Sequence, residues 1–286
     1  MSNLFDALDQ STAFNKFKVD DLLFVEYTCD PGGPKAEIWS HTNYFTYIVS
    51  GEMTLKTPEK TYQIKAGESY FIRKGAFIIP QFFEEVFCDM IIFIPDDFIR
   101  GVIDKHQLPL IPSNSHQIKN QILPLNLDET LIRYYQSLFS YFKNDKPPSE
   151  ILLKLKFEEL IINILTNTTN RDLINCLAEI HHNTKPSLTA IMEQNFNANL
   201  SLSEFARMTT RSLSTFRRDF EKAYQIPPGE WLRKKRLEFS RHLLKSTPNN
   251  VDDIAYESGF SSRTHFIRCF KEQYGLSPHQ YRLRKV

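Results

Sequence analysis

Between about Leu22 and Ile94 the chain is written in short runs rich in Val, Ile, Phe, Tyr and Thr: LLFVEYT, AEIWSHTNYFTYIVSG, EMTLKTPEKTYQIKAG, ESYFIRKGAFIIPQFF and EVFCDMIIFIP. Turn signals such as CDPGGPK separate them, and Tyr62, Ile64 and Ala66 show period-two alternation. That pattern predicts an antiparallel sandwich or small barrel. From Asp96 the period lengthens. DDFIRGVIDKHQ reads as a short helix, and LPLIPSNSHQIKNQILPLNL as a proline-punctuated connection holding one last strand. Three helices follow: LDETLIRYYQSLFSYFKND with Asp128 as cap, EILLKLKFEELIINILTN after Pro147 and Pro148, and RDLINCLAEI. In the second, Ile151, Leu152, Leu155, Leu160, Ile161, Ile164 and Leu165 make an apolar stripe that suits an internal core or a partner helix equally.

After the polar stretch from His181 to Thr184, read as a linker, Pro186 opens a helical region with an internal repeat. In the later copy Val251, Ile254 and Ala255 mark a short helix, Gly259 a turn that needs positive φ, and Ser261 or Ser262 the cap of a second helix. On that helix Phe266, Phe270 and Tyr274 stack on one side, with Thr264, Arg268 and Lys271 opposite. Short helix, tight turn and basic second helix spell a helix-turn-helix. About fifty residues upstream, Leu202 to Tyr224 repeats it: Phe216, Phe220, Tyr224, Ser214 and Arg218 match Phe266, Phe270, Tyr274, Thr264 and Arg268, with one residue's difference at the turn. Between the copies, Pro227 and Pro228 suit a helix start and Pro248 an end, and Trp231, Leu232, Leu237, Phe239, Leu243 and Leu244 predict a long connecting helix. Such a strut would hold two reading helices in successive major grooves, roughly 10 bp apart.

Residues 183–286 resemble the double helix-turn-helix domain of the AraC family of bacterial transcription regulators, through the two units, the connecting helix and the ending GFSSRTHFIRCFKEQYGLSPHQYR with its G-x-S-P-x-x-Y-R from Gly275 to Arg282. One departure is Thr210, which occupies the place of the usual turn glycine in the first unit. The resemblance implies promoter regulation, usually activation through contact with RNA polymerase. Charge agrees independently: residues 183–286 carry 18 Lys+Arg against 10 Asp+Glu, and the remaining 17 and 24 leave residues 1–182 acidic. A near-neutral total of +1 thus hides a basic half suited to a duplex and an acidic half that is not.

The phrase GEMTLKTPEKTYQIKAGESYFIRKG resembles the cupin barrel that serves as sensor in many AraC-type proteins. The expected architecture is therefore α+β with two folding types: a cupin-like antiparallel barrel over residues 1–110, a helical dimerisation and linker region over 111–182, and an all-α DNA-binding domain over 183–286. Cupin metal chemistry needs imidazoles at H-x-H spacing and another His on a later strand; here His41 stands alone and GAFIIPQFF has none. No metal, cofactor or catalytic residue is expected. A cupin metalloenzyme fused to a DNA-binding domain remains the alternative, and a DNA-alkylation repair protein would need a zinc-bound cysteine cluster that Cys29, Cys88, Cys176 and Cys269 do not form in sequence. Trp39, Tyr44, Tyr47, Phe71 and Phe82 either line a ligand pocket or fill the barrel. The ligand-motif-free, aromatic-rich sandwich also resembles the branch activating type III secretion genes, where a protein partner replaces the small molecule. In family members with a sensor domain the helical region carries the dimer contact, so the resemblance implies a homodimer.

With no signal-like start and no apolar run of about 18 residues, the protein is expected in the cytoplasm and away from membranes. The expected partner is double-stranded DNA. Base reading falls to Ser214, Arg217 and Arg218 on the first recognition helix and Arg263, Thr264 and Arg268 on the second, arginine being the commonest reader of guanine. Ser203, Ser212, Ser261 and Ser262, at expected helix starts, and Lys271 are the phosphate contacts.

Overall fold

The computed structural model describes residues 1–30, 36–57, 60–79, 86–110, 120–144, 146–183 and 185–283. The chain divides into two compact units, Ser2–Thr184 and Lys185–Val286.

The first unit runs β1 (Ser2–Asn3), α1 (Leu4–Gln10), β2 (Asn15–Val19), β3 (Leu22–Cys29), β4 (Ala36–Ser40), β5 (Asn43–Ser50), β6 (Glu52–Lys56), β7 (Thr61–Lys65), β8 (Ser69–Ile72), β9 (Gly75–Ile79), β10 (Phe87–Ile94), α2 (Asp96–His106), β11 (Ile122–Leu125), α3 (Glu129–Phe142), α4 (Glu150–Thr166) and α5 (Arg171–His182). The strands form two sheets, ordered β1-β4-β9-β6-β7 and β11-β8-β5-β10-β3-β2. Among the described residues all pairings are antiparallel except that of β1 with β4. The antiparallel sandwich with following helices is the architecture expected from the sequence. Three elements lie before the strand-length runs that begin at Leu22: β1, too short for any periodicity, α1, which sends Phe5 and Leu8 into the core between the sheets, and the edge strand β2.

Strand β10 explains how the layers are built. It is central, and both faces are covered, so it reads as a nearly continuous apolar run. Ile91 and Phe93 join Leu23, Val25, Tyr44, Ile48, Leu55 and Phe77 between the sheets, whereas Met90, Ile92 and Ile94 face the helices with Phe24, Phe45 and Phe71. The helices dock through aromatic pairs, Phe24 on Phe157 at 3.9 Å between ring centroids and Tyr47 on Tyr135 at 4.3 Å. The region 111–182 thus contributes α3, α4 and α5 to the same core as the larger sheet. The wide stripe on α4 divides accordingly: Leu160, Ile161, Ile164 and Leu165 are buried, while Ile151, Leu152 and Leu155 remain exposed.

Side-chain parity corrects the grouping of aromatic residues into one pocket. Tyr44 and Tyr47 lie three apart on β5, and period two sends them to opposite faces. Tyr44 packs between the sheets; Tyr47 and Phe71 pack against the helices. Trp39 is buried on β4, and Phe82 lies outside the described residues. A polar group does enter the sandwich at Asp89. A bulge places Cys88 opposite Ser50 and Asp89 opposite Ile48, and the Asp89 carboxylate accepts from the Thr46 hydroxyl (2.6 Å) and the Tyr47 N–H (3.1 Å). Burial outweighs these bonds and pushes its pKa up to about 7.

The second unit is all helical: α6 (Leu188–Asn195), α7 (Leu202–Met208), α8 (Leu213–Tyr224), α9 (Pro228–Ser246), α10 (Val251–Glu257), α11 (Arg263–Tyr274) and α12 (Pro278–Leu283). Helix α9 is the expected strut. Trp231 near its start packs on Phe220 and Tyr224 of α8, while Leu237, Leu243 and Leu244 join Ile254, Phe260, Phe266 and Phe270 of the second copy.

Candidate nucleic-acid interface

The two helix-turn-helix units are copies at the level of single hydrogen bonds. In the first, Thr210 N–H donates to the Arg207 carbonyl (3.0 Å) and Arg211 N–H to that of Ala206 (3.0 Å); in the second, Gly259 N–H donates to Tyr256 (2.9 Å) and Phe260 N–H to Ala255 (3.0 Å). These bonds satisfy the carbonyls left free at the end of a helix. Thr210 adopts φ 53 where Gly259 adopts φ 86, so threonine takes up the left-handed turn geometry without glycine. The extra residue of the second unit follows the turn, between Gly259 and the cap Ser262.

The repeat extends past the recognition helices. Gln225 and Gly275 end α8 and α11 at positive φ, then Pro228 and Pro278 open the next helices. Trp231 meets Phe220 edge-on at 5.7 Å, and Tyr281 meets Phe270 in the same way at 5.4 Å. Each recognition helix is therefore clamped by an aromatic side chain from the helix after it. In sequence Trp231 is one of the apolar positions of the strut, and the signal of its second role is the fifty-residue offset from Tyr281.

Helix α8 buries Phe216 and Phe220 and exposes Ser214, Arg217 and Arg218. Helix α11 buries Phe266, Cys269 and Phe270 and exposes Arg263, Thr264, Arg268 and Lys271. Among the described residues Arg217 has no ionic partner, and Arg218 and Arg268 are held only loosely, 3.7 Å from Asp219 and 3.9 Å from Glu272. Arg263 is different: Asp252 on α10 holds its Nε at 2.8 Å and its Nη1 at 3.3 Å. These exposed pairs contribute little to stability, so their guanidinium groups are available at small cost.

Of the serines expected at helix starts, Ser212 caps α8 through Thr215 N–H and Ser262 caps α11 through His265 N–H. Ser261 lies one residue before the α11 cap. Ser203 is not a cap either: α7 starts with a capping box between Ser201 and Glu204, which leaves Ser203 exposed inside the first turn. Two other arginines of this basic unit are turned inward. Arg211 bonds Asp219 (3.2 Å) and the carbonyls of Pro186 and Thr209 (3.1 and 2.8 Å). Arg236 bonds the carbonyls of Phe196 and Ala198 at 2.7 and 2.8 Å, and burial pushes its pKa down to about 10. Nothing in the RKKR run distinguishes Arg236 from its solvated neighbours.

Among the described residues no three His, Cys, Asp or Glu side chains come together as metal ligands, and no helix is long and apolar enough to cross a membrane. Comparison with known proteins assigns both units. Residues 43–176 match the family described as the ExsA N-terminal regulatory domain, and residues 205–284 match a helix-turn-helix domain. The virulence regulon transcriptional activator VirF of Yersinia enterocolitica is 26% identical over 258 residues, 88% of this chain and 94% of that protein. The HTH-type transcriptional regulator ExsA of Pseudomonas aeruginosa is 24% identical over 241 residues, 83% of this chain and 85% of that one. Among solved structures, ToxT from Vibrio cholerae is 16% identical and covers 91% of this chain and 97% of its own, with a TM-score of 0.39. The matched families and relatives are regulators, and none supports the metalloenzyme alternative. Two recognition helices in one basic unit, preceded by a regulatory domain of ExsA type, make this chain a DNA-binding transcription regulator of the AraC family.

Proposed function

We propose that the protein is a transcriptional activator that reads two major-groove segments about one helical turn, roughly 10 bp, apart. One observation carries the reading: the repeated units each expose arginines on a recognition helix and are joined by a single packed helix, α9. Base contacts come from Ser214, Arg217 and Arg218 on α8 and from Arg263, Thr264 and Arg268 on α11. Phosphate contacts come from Ser203, Ser212, Ser261, Ser262 and Lys271, the capped helix starts adding N–H donors and a favourable dipole. Activation, the role for which the Yersinia relative is named, requires engagement of RNA polymerase beside the site. Such work belongs in the cytoplasm, with the chromosome.

The N-terminal unit controls this activity by binding a small molecule or a protein partner. Its candidate pocket residues that are described are packed as core, which favours a protein acting at the surface. The exposed Ile151, Leu152 and Leu155 of α4 support a homodimer contact there, since their apolar area is otherwise left in water.

Selection of duplexes from a random pool by the full-length protein tests the reading. Enrichment of a bipartite site, lost in the Arg218→Ala, Arg268→Ala double variant, is expected. A folded protein that enriches no bipartite site, alone or as the isolated second unit, would overturn it. Each base-reading arginine is expected to contribute about 1 to 3 kcal/mol at one position, whereas a phosphate contact weakens all sequences alike.

A further inference from the structure

We propose that Arg236 is a positioning residue that fixes the distance between the two recognition helices, and so the spacing of the DNA elements the protein accepts. This rests on the two-element reading above.

Arg236 stands in the middle of α9 and reaches back to the connection between α6 and α7, where its Nε donates to the Phe196 carbonyl at 2.7 Å and its Nη2 to the Ala198 carbonyl at 2.8 Å. The same guanidinium borders the turn of the second unit. A Cβ built on Gly259 would lie 2.9 Å from Arg236 Nε and 2.7 Å from the Asn197 carbonyl oxygen. Asn197 in turn reaches the Glu257 carbonyl through its side chain at 3.5 Å. The entry to the first unit, the strut and the turn of the second unit therefore meet at one point.

A single helix fixes its own length but leaves each unit free to rock about its apolar contacts. A contact between the first unit's entry and the second unit's turn, made through the strut, removes that freedom. The choice of side chain fits the task. Arg236 bonds two backbone carbonyls in fixed directions with a planar fork, which an apolar residue does not do and a lysine does only at one point. The Nε/Nη2 edge is engaged within the protein, and the half-buried side chain is directed at these carbonyls.

The experiment measures binding of the full-length protein to duplexes carrying its two selected elements at the selected spacing and with one or two base pairs inserted or deleted. Each base pair displaces one element by about 3.4 Å along the axis and rotates it around the duplex. The wild-type protein is expected to lose roughly tenfold or more in affinity per base pair of displacement, comparable to a mismatched base pair. In Arg236→Lys the selected spacing is expected to bind within about threefold of wild type while the profile flattens to about threefold per base pair. A folded Arg236→Lys protein with the wild-type profile overturns the proposal, as does a flat profile in the wild type. Should the lysine variant not fold, Asn197→Ala loosens the same junction from the loop side, and an unchanged profile there is equally fatal. Failure of the wild type to enrich any bipartite site is a different outcome, which removes the two-element reading itself.

Discussion

The two helix-turn-helix units share one backbone and solve its hardest positions differently. Both need a left-handed residue at the turn and another after the recognition helix; the second unit supplies Gly259 and Gly275, the first Thr210 and Gln225. The comparison separates what the backbone tolerates from what the surroundings demand. Left-handed φ is attainable by an ordinary residue when neighbouring bonds hold it, at a cost of about 1 to 3 kcal/mol. Glycine becomes obligatory only where something lies against it, and that is true of Gly259 alone among the four.

The largest expected effect follows from this. Gly259→Ala adds backbone strain and a Cβ against the Asn197 carbonyl, a backbone atom that has no rotamer to escape through, and is expected to cost about 3 kcal/mol or more. Gly275 has φ 75 but nothing within 4 Å of its missing Cβ, so Gly275→Ala is expected to cost only about 1 to 2 kcal/mol. Denaturant unfolding of the two variants checks the pair; equal losses would mean that φ, and not the close approach, decides both positions.

The reverse substitution is expected to have the opposite sign. Thr210 is exposed and β-branched at φ 53, a combination that L-residues avoid, and its hydroxyl bonds only the adjacent Thr209 carbonyl. Thr210→Gly relieves that strain and gives back part of the gain through the extra freedom of the unfolded chain. A net stabilisation of about 0.5 to 1 kcal/mol is expected in the same unfolding measurement. Destabilisation would show that the first unit depends on the threonine side chain.

How much was legible in the sequence follows the same division between local pattern and surroundings. The recognition helices were readable because Phe216 and Phe220, like Phe266 and Phe270, recur at four-residue spacing beside a turn signal. The strut was readable from its prolines and apolar positions. The continuation of the repeat is masked because Pro228 and Trp231 also serve the strut, although Pro278 and Tyr281 stand in register with them. Arg236 and Arg211 were hidden among basic residues: burial of a cation is settled by which carbonyls fold against it, and local composition carries no trace of that. In the N-terminal unit the sandwich is legible from its strand-length runs, and composition alone groups aromatic residues that strand parity separates, as it does Tyr44 from Tyr47. Asp89 was concealed by the apolar run around it, since only the bulge in β5 and the partners Thr46 and Tyr47 make a carboxylate tolerable there.

The smallest expected difference lies at the caps. Ser212 accepts from Thr215 N–H at 3.2 Å, and Ser262 from His265 N–H at 3.4 Å. The longer bond is the weaker one, so Ser212→Ala is expected to cost about 1 kcal/mol of stability and Ser262→Ala about half of that. Both serines are also proposed phosphate contacts, and alanine removes the cap and the contact together. Aspartate separates them: Ser212→Asp and Ser262→Asp keep a capping oxygen and favour the helix dipole, but set a negative charge where a phosphate would sit. Stability within about 0.5 kcal/mol of wild type, with affinity lowered for every duplex sequence alike, is the expected signature. An aspartate variant that is stable and binds DNA as tightly as wild type would leave that serine a cap and remove it from the interface.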